Sequence, residues 1–91
     1  MFRWLNKQGV ESSSGFALQR VERFWYEYRE ADHVMRVMVE PGTLDEEIDE
    51  ESIARWLPPY ESEQVTAQKK VHIEANISDA LTFMGIKHRF V

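Results

Sequence analysis

Six of the seven residues from Asp45 to Glu51 are carboxylates, with Ile48 as the exception. Such a cluster can hold a metal ion, work as a paired acid and base, or present a negative surface to a cation. A calcium loop needs a glycine at its central turn and a bidentate Glu at its twelfth position. No register starting at Asp45 or Asp49 supplies both. Acid–base work needs two carboxyl groups in a cleft that splits their pKa values, and nothing in the neighbouring residues builds one. Two readings stay open for Asp45, Glu46, Glu47, Asp49, Glu50 and Glu51. They are the solvated, aggregation-resistant edge of a sheet, or a surface complementary to a basic partner.

The other residues with chemical potential are scattered. His33, His72 and His88 have no H-E-x-x-H or H-x3-H spacing, so only the fold can bring them together. Ser12, Ser13 and Ser14 lie in a run without a nucleophile-elbow motif. The chain has no Cys, which removes a disulfide framework, a thiolate zinc site and a cysteine nucleophile. Gly9, Gly15, Gly42 and Gly85 are too dispersed for a phosphate-cradling loop. No catalytic residue, metal site or cofactor is expected, and the chain reads as a non-enzyme. Trp56-Leu57-Pro58-Pro59-Tyr60 is the most unusual string. It fits a plug for the open end of a core or an aromatic hot spot on a stiff loop. The plug is favoured for Trp56, and Tyr60 stays open between the two.

The elements that must position these residues follow from hydrophobic spacing. Phe16 and Leu18 share one face of a strand, and Phe24, Tyr26 and Tyr28 share a face of the next, joined near Glu22. Met35, Val37 and Val39 alternate again over residues 34–40, beyond a four-residue loop at Glu30–His33. Pairing Arg29 with Val34 sets Tyr28 opposite Met35, Tyr26 opposite Val37 and Phe24 opposite Val39. A one-residue slip would send these apolar residues to the wrong face. Pro41-Gly42 then turns the chain. A short edge strand is expected near 45–49, followed by one helical turn over 50–56 capped by Asp49. Residues before proline leave the α region, so Leu57–Tyr60 should be extended. Ile73, Ile77, Ala80, Leu81 and Met84 recur at helical spacing and predict one long helix over 66–84, capped by Thr66 and ended by Gly85. Ile86, His88 and Phe90 alternate in a last strand. The fold class is α+β: a small, mostly antiparallel sheet of four to five strands with one amphipathic helix on a face.

The organisation is one domain over residues 16–91, preceded by residues 1–15. Asn6–Gly15 is Ser- and Gly-rich and reads as a flexible link. Phe2, Trp4 and Leu5 ahead of it are too apolar for an idle tail and should dock as a short helix or turn, with a partner anchor as the other reading. At 91 residues the chain must use its core fully. Its charge is uneven. Residues 40–63 hold nine acidic groups and one basic, net −8, against −5 for the whole chain. Nucleic acid is disfavoured as a partner, because it needs clustered Lys and Arg. No apolar run reaches the ~18 residues of a membrane span, and residues 1–7 lack a signal-peptide core. A cytoplasmic location is expected.

The runs Tyr28-Arg29-Glu30, Val39-Glu40-Pro41-Gly42 and Glu51-Ser52-Ile53-Ala54-Arg55-Trp56-Leu57-Pro58-Pro59-Tyr60 resemble small bacterial proteins grouped with the polymorphic-toxin immunity proteins, notably immunity protein family 74. In that pattern a W-x-P-P segment precedes an acidic, helix-starting stretch. An amphipathic helix and a closing f-x-G-i strand follow, as in Thr82-Phe83-Met84-Gly85-Ile86. The resemblance covers residues 16–91 and carries no catalytic residue. It implies a cytoplasmic protein that binds and neutralises a cognate toxin. The expected partner is then a basic protein toxin, met by Asp45, Glu46, Glu47, Asp49, Glu50, Glu51 and Tyr60, with the chain a monomer or homodimer and no nucleic acid or membrane involved. The alternative is a stand-alone bacterial domain that self-associates through a sheet edge or its N-terminal segment, with no toxin partner.

Overall fold

A computed structural model describes all 91 residues. Strands β1 (Phe2–Asn6), β2 (Gly9–Ser12), β3 (Phe16–Glu22), β4 (Trp25–Glu30), β5 (His33–Pro41) and β6 (Glu46–Ile48) come first. A 3-10 turn at Glu50–Ser52, helix α1 (Ala67–Phe83) and β7 (His88–Phe90) complete the chain. The fold is α+β, with seven strands lying side by side in chain order in one curled sheet. Every neighbouring pair is antiparallel except β6 and β7. A parallel pair needs a long crossover connection, and α1 lies within the one joining β6 to β7.

The sheet has more strands than the four to five expected, and the difference lies mainly at its start. Asn6–Gly15 is not a flexible link: it carries β2, whose Val10 is fully buried in the core. Phe2, Trp4 and Leu5 form β1 and not a helix or turn. Only the adjacent Gly9 and Val10 are buried in this four-residue strand, which leaves no periodicity to read, so pairing with β3 decides the matter.

The central hairpin has the expected register. Arg29 faces Val34, Tyr28 faces Met35 and Tyr26 faces Val37. Glu30 and His33 also pair, so the connection shrinks from four residues to Ala31-Asp32, with Ala31 at φ 55°. Phe24 drops out of the apolar face. An irregularity between Arg20 and Glu22 brings Trp25 opposite Glu22. The Phe24 ring is left half-exposed, with the Arg23 guanidinium 5.2 Å from its centre.

Past β5 the chain doubles back through Gly42, where an added Cβ would sit 2.1 Å from the Asp45 carbonyl oxygen. The segment that follows covers the free edge of β5. Asp49 N–H donates to Met38 O at 3.0 Å, Met38 N–H to Ser52 Oγ at 2.9 Å, and Leu57 N–H to Val34 O at 2.7 Å. As expected, Asp49 caps the turn after it, accepting from the Glu51 N–H at 3.0 Å. The turn is only Glu50–Ser52, and residues 58–60 bend back where an extended run was expected.

Helix α1 rests on β2 and β3. Thr66 caps it through the Lys69 N–H, and Ile73, Ile77, Ala80 and Leu81 are buried beneath it. At its end Gly85 N–H donates to Thr82 O and Ile86 N–H to Leu81 O, with Gly85 at φ 76°. This pair of bonds is the Schellman closure that glycine permits. The core joins these residues to Val10, Phe16, Leu18, Tyr26, Tyr28, Met35, Val37, Val39, Ile48, Ile53 and Trp56, and holds no buried charge.

Candidate functional site

The acidic segment is not a free edge. β6 lies between β5 and β7, and the row Glu40–Glu47–Arg89 runs across all three strands. Alternation along β6 sends Glu46 and Ile48 to one face and Glu47 to the other. Ile48 fills the core. Glu46 sits at the rim of the same face, where Oε1 accepts from the Tyr26 hydroxyl at 2.6 Å and Oε2 from Arg20 Nη1 at 2.7 Å. Burial pushes the Tyr26 hydroxyl well above its usual range, and Glu46 adds to the shift. Glu47 is paired with Arg89. Asp49 is taken up by its cap. Glu50 and Glu51 remain exposed, as do Glu40 opposite Glu47 on β5 and Glu61 further along the chain. The expected cluster thus divides into carboxylates that build the fold and carboxylates that face water. A carboxylate locked to an arginine presents no net charge to a partner. Composition cannot show this, because Arg20 and Arg89 lie far away in sequence.

Trp56 and Tyr60 also part company. Trp56 is buried as a plug, 6.3 Å from the Tyr28 ring and edge-on to His33 at 5.0 Å. Tyr60 stacks on His33, with ring centres 3.7 Å apart and planes 15° from parallel. The Tyr60 hydroxyl donates to Asp32, whose other oxygen meets His33 Nδ1 at 3.0 Å. Glu63 reaches His33 Nε2 at 3.1 Å. His33 is therefore held between two carboxylates and two aromatic rings. Partial burial disfavours its charge, but Glu63 and Asp32 outweigh that and raise its pKa above the ordinary 6.5. Asp32 moves the other way, held below the usual carboxylate range by Tyr60 and then His33. This clasp ties the Pro-Pro loop to the β4–β5 turn. Tyr60 is engaged inside the molecule, and only its partly exposed edge is left for a partner. Sequence reasoning named His33 but missed its joining to Asp32 and Glu63, since the three are linked through space alone.

A third polar group lies next to this clasp, since Glu30 is the register partner of His33. The Tyr28 hydroxyl donates to Glu30 at 2.6 Å and accepts from Asn76 Nδ2 at 3.0 Å, while Lys69 pairs with Glu30. Burial opposes ionisation of Glu30, yet Lys69 and the Tyr28 hydroxyl hold its pKa below the usual range.

Ser78 and His88 form the arrangement nearest to a catalytic pair. Ile86 O can only accept, so His88 Nδ1–H donates to it at 2.9 Å, and Nε2 is left to accept the Ser78 hydroxyl at 2.8 Å. Ser78 lies inside α1, where the neighbouring N–H groups are committed to helix bonds. None is free to stabilise an oxyanion, so the pair pins β7 against the helix. No group of three or more His, Asp or Glu side chains is placed to hold a metal ion, and no helix is long and apolar enough to cross a membrane. No family model, curated protein or solved structure matches the chain.

Proposed function

We propose that this is a non-catalytic binding protein that meets a basic protein partner through the water-facing carboxylates of its acidic segment. The observation that carries the reading is the division inside that segment. Glu46 and Glu47 are neutralised by Arg20 and Arg89, while Glu40, Glu50, Glu51 and Glu61 stay exposed and form no ion pair. Glu50 and Glu51 occupy a short turn whose ends are fixed to β5 and to Val91, so their charge sits on a held backbone. Exposed charges of this kind raise association rates and select partners of opposite sign. The resemblance to immunity protein family 74 supports the narrower form of the proposal, in which the partner is a toxin made inside the same cell and neutralised in the cytoplasm.

The test uses the intact protein, immobilised, and a variant with Glu40, Glu50, Glu51 and Glu61 changed to Gln. A basic protein retained from host lysate by the first and released by the second, and whose toxicity to growing cells is relieved by co-expression of the first, is the expected result. Equal retention by both would remove the acidic surface from the proposal. Failure to relieve toxicity would remove the immunity role.

A further inference from the structure

We infer that two copies of this chain associate through β1, strand to strand and antiparallel, with Trp4 at the two-fold axis. The inference does not rest on the proposed toxin partner. A curled, open sheet has edges that must be managed. The free part of β5 is covered by the backbone bonds of Asp49, Ser52 and Leu57. β7 is three residues long, with Lys87 just before it and Arg89 within it. β1 is five residues long, bonded on one side only, and carries one charged residue, Arg3. Ser13 N–H donates to Met1 O at 2.8 Å. By antiparallel alternation, Arg3 then also faces β2, and Phe2 and Trp4 turn their N–H and C=O groups outward.

One face of this edge is apolar, with Phe2 and Trp4, and the other carries Arg3 and Leu5. Trp4 and Leu5 are about half-exposed, and Trp4 lies 5.7 Å from the half-exposed Phe83 ring of α1. Phe2 stacks on Phe83 at 5.3 Å. Antiparallel pairing about a two-fold axis perpendicular to the sheet keeps faces matched, so two Trp4 and two Phe83 rings would come side by side.

Charge selects both the occupant and the register. Residues 1–15 hold Arg3, Lys7 and Glu11, while the −8 segment starts on β5, three strands beyond β2. Two chains of net −5 therefore repel least when they meet here. Pairing Phe2 with Trp4 of the second copy would put two Arg3 side chains opposite each other, which is unfavourable. Pairing Trp4 with Trp4 instead sets Arg3 opposite Leu5 of the second copy. The contact is isologous and closes at two.

Sedimentation equilibrium of the intact protein should give twice the 10.8 kDa chain mass as concentration rises. Trp4→Lys should give one chain mass at every concentration, with an unchanged circular dichroism spectrum. The chain has no cysteine, so a disulfide can report the register. Arg3→Cys chains mixed with Leu5→Cys chains under oxidation should cross-link to each other, and neither should cross-link to itself. A monomer at all concentrations, a Trp4→Lys dimer, or a dimer whose mixed variants do not cross-link would each overturn the inference.

Discussion

Single side chains in this molecule are explained by what they touch across the sheet. Glu46 and Glu50 are four residues apart and of one type, yet one closes a Tyr–Arg network and the other faces water. His33 shows the same dependence, and its titration has a definite sign. A raised folded pKa means that its contribution is complete below the ordinary 6.5 and disappears as pH rises through the raised value. Asp32 has a lowered pKa, so its contribution is complete above 3.8 and disappears as pH falls through the lowered value. The clasp of His33, Asp32, Glu63 and Tyr60 therefore supports the fold most between about pH 4 and 6.5. His33→Gln should lower the thermal midpoint more at about pH 5.5 than at about pH 9. Equal losses at both pH values would show that the imidazole acts by stacking alone. In the core, Ile77 and Leu81 are fully buried on α1. Either one changed to Ala should lose about 2–5 kcal/mol in chemical denaturation, and a negligible loss at both would refute the helix packing.

At the scale of elements, the N-terminal hairpin and the β5–β6 turn make opposite predictions. Val10 reaches the core from β2 and Phe2 packs against it from β1. Deletion of residues 1–15 should therefore destabilise the remainder, and their backbone, paired into the sheet, should resist protease. The exposed point is the turn at residues 42–45, where Leu44 is 86% exposed. Limited chymotrypsin digestion should cut first after Leu44, and mass spectrometry of the first fragments identifies the site. A first cut within residues 6–15 would restore the linker reading. Gly42 makes the same turn sensitive to substitution, because a Cβ there meets backbone. Gly42→Ala should displace the turn and weaken the entry into β6, read as faster hydrogen exchange at Glu46–Ile48.

For the whole molecule, the charge distribution governs encounters. The exposed carboxylates act on a partner through solvent that screens them over about 8–10 Å. Changing Glu40, Glu50, Glu51 and Glu61 to Gln should slow association with a basic partner and flatten its salt dependence, while dissociation changes little. Stopped-flow binding at two salt concentrations measures both rates. The fold should survive, since none of the four pairs with a cation and removing like charges relieves repulsion. Glu46 and Glu47 are left out of that set for a structural reason. Neutralising them would strand Arg20 at the core rim and Arg89 on β7.

The α+β class, the central hairpin with its register, the Asp49 and Thr66 caps, the helix and its glycine stop are all written in local patterns of period two, period 3.6 and end chemistry. Those patterns persist in the sequence because each repeats over several neighbours, so one residue out of place would be visible. Only the tertiary structure decided that residues 1–15 enter the sheet, that β6 runs inside it beside β7, and that Tyr60 closes on His33. Each of these joins residues far apart in the chain, as with Val10 under the helix, Glu47 with Arg89 and Asp32 with Tyr60. A lone contact leaves no period to detect, and a carboxylate reads the same whether water or an arginine will face it. The sequence therefore determined how much acid the segment from Asp45 to Glu51 carries, and folding determined which of it remains outside.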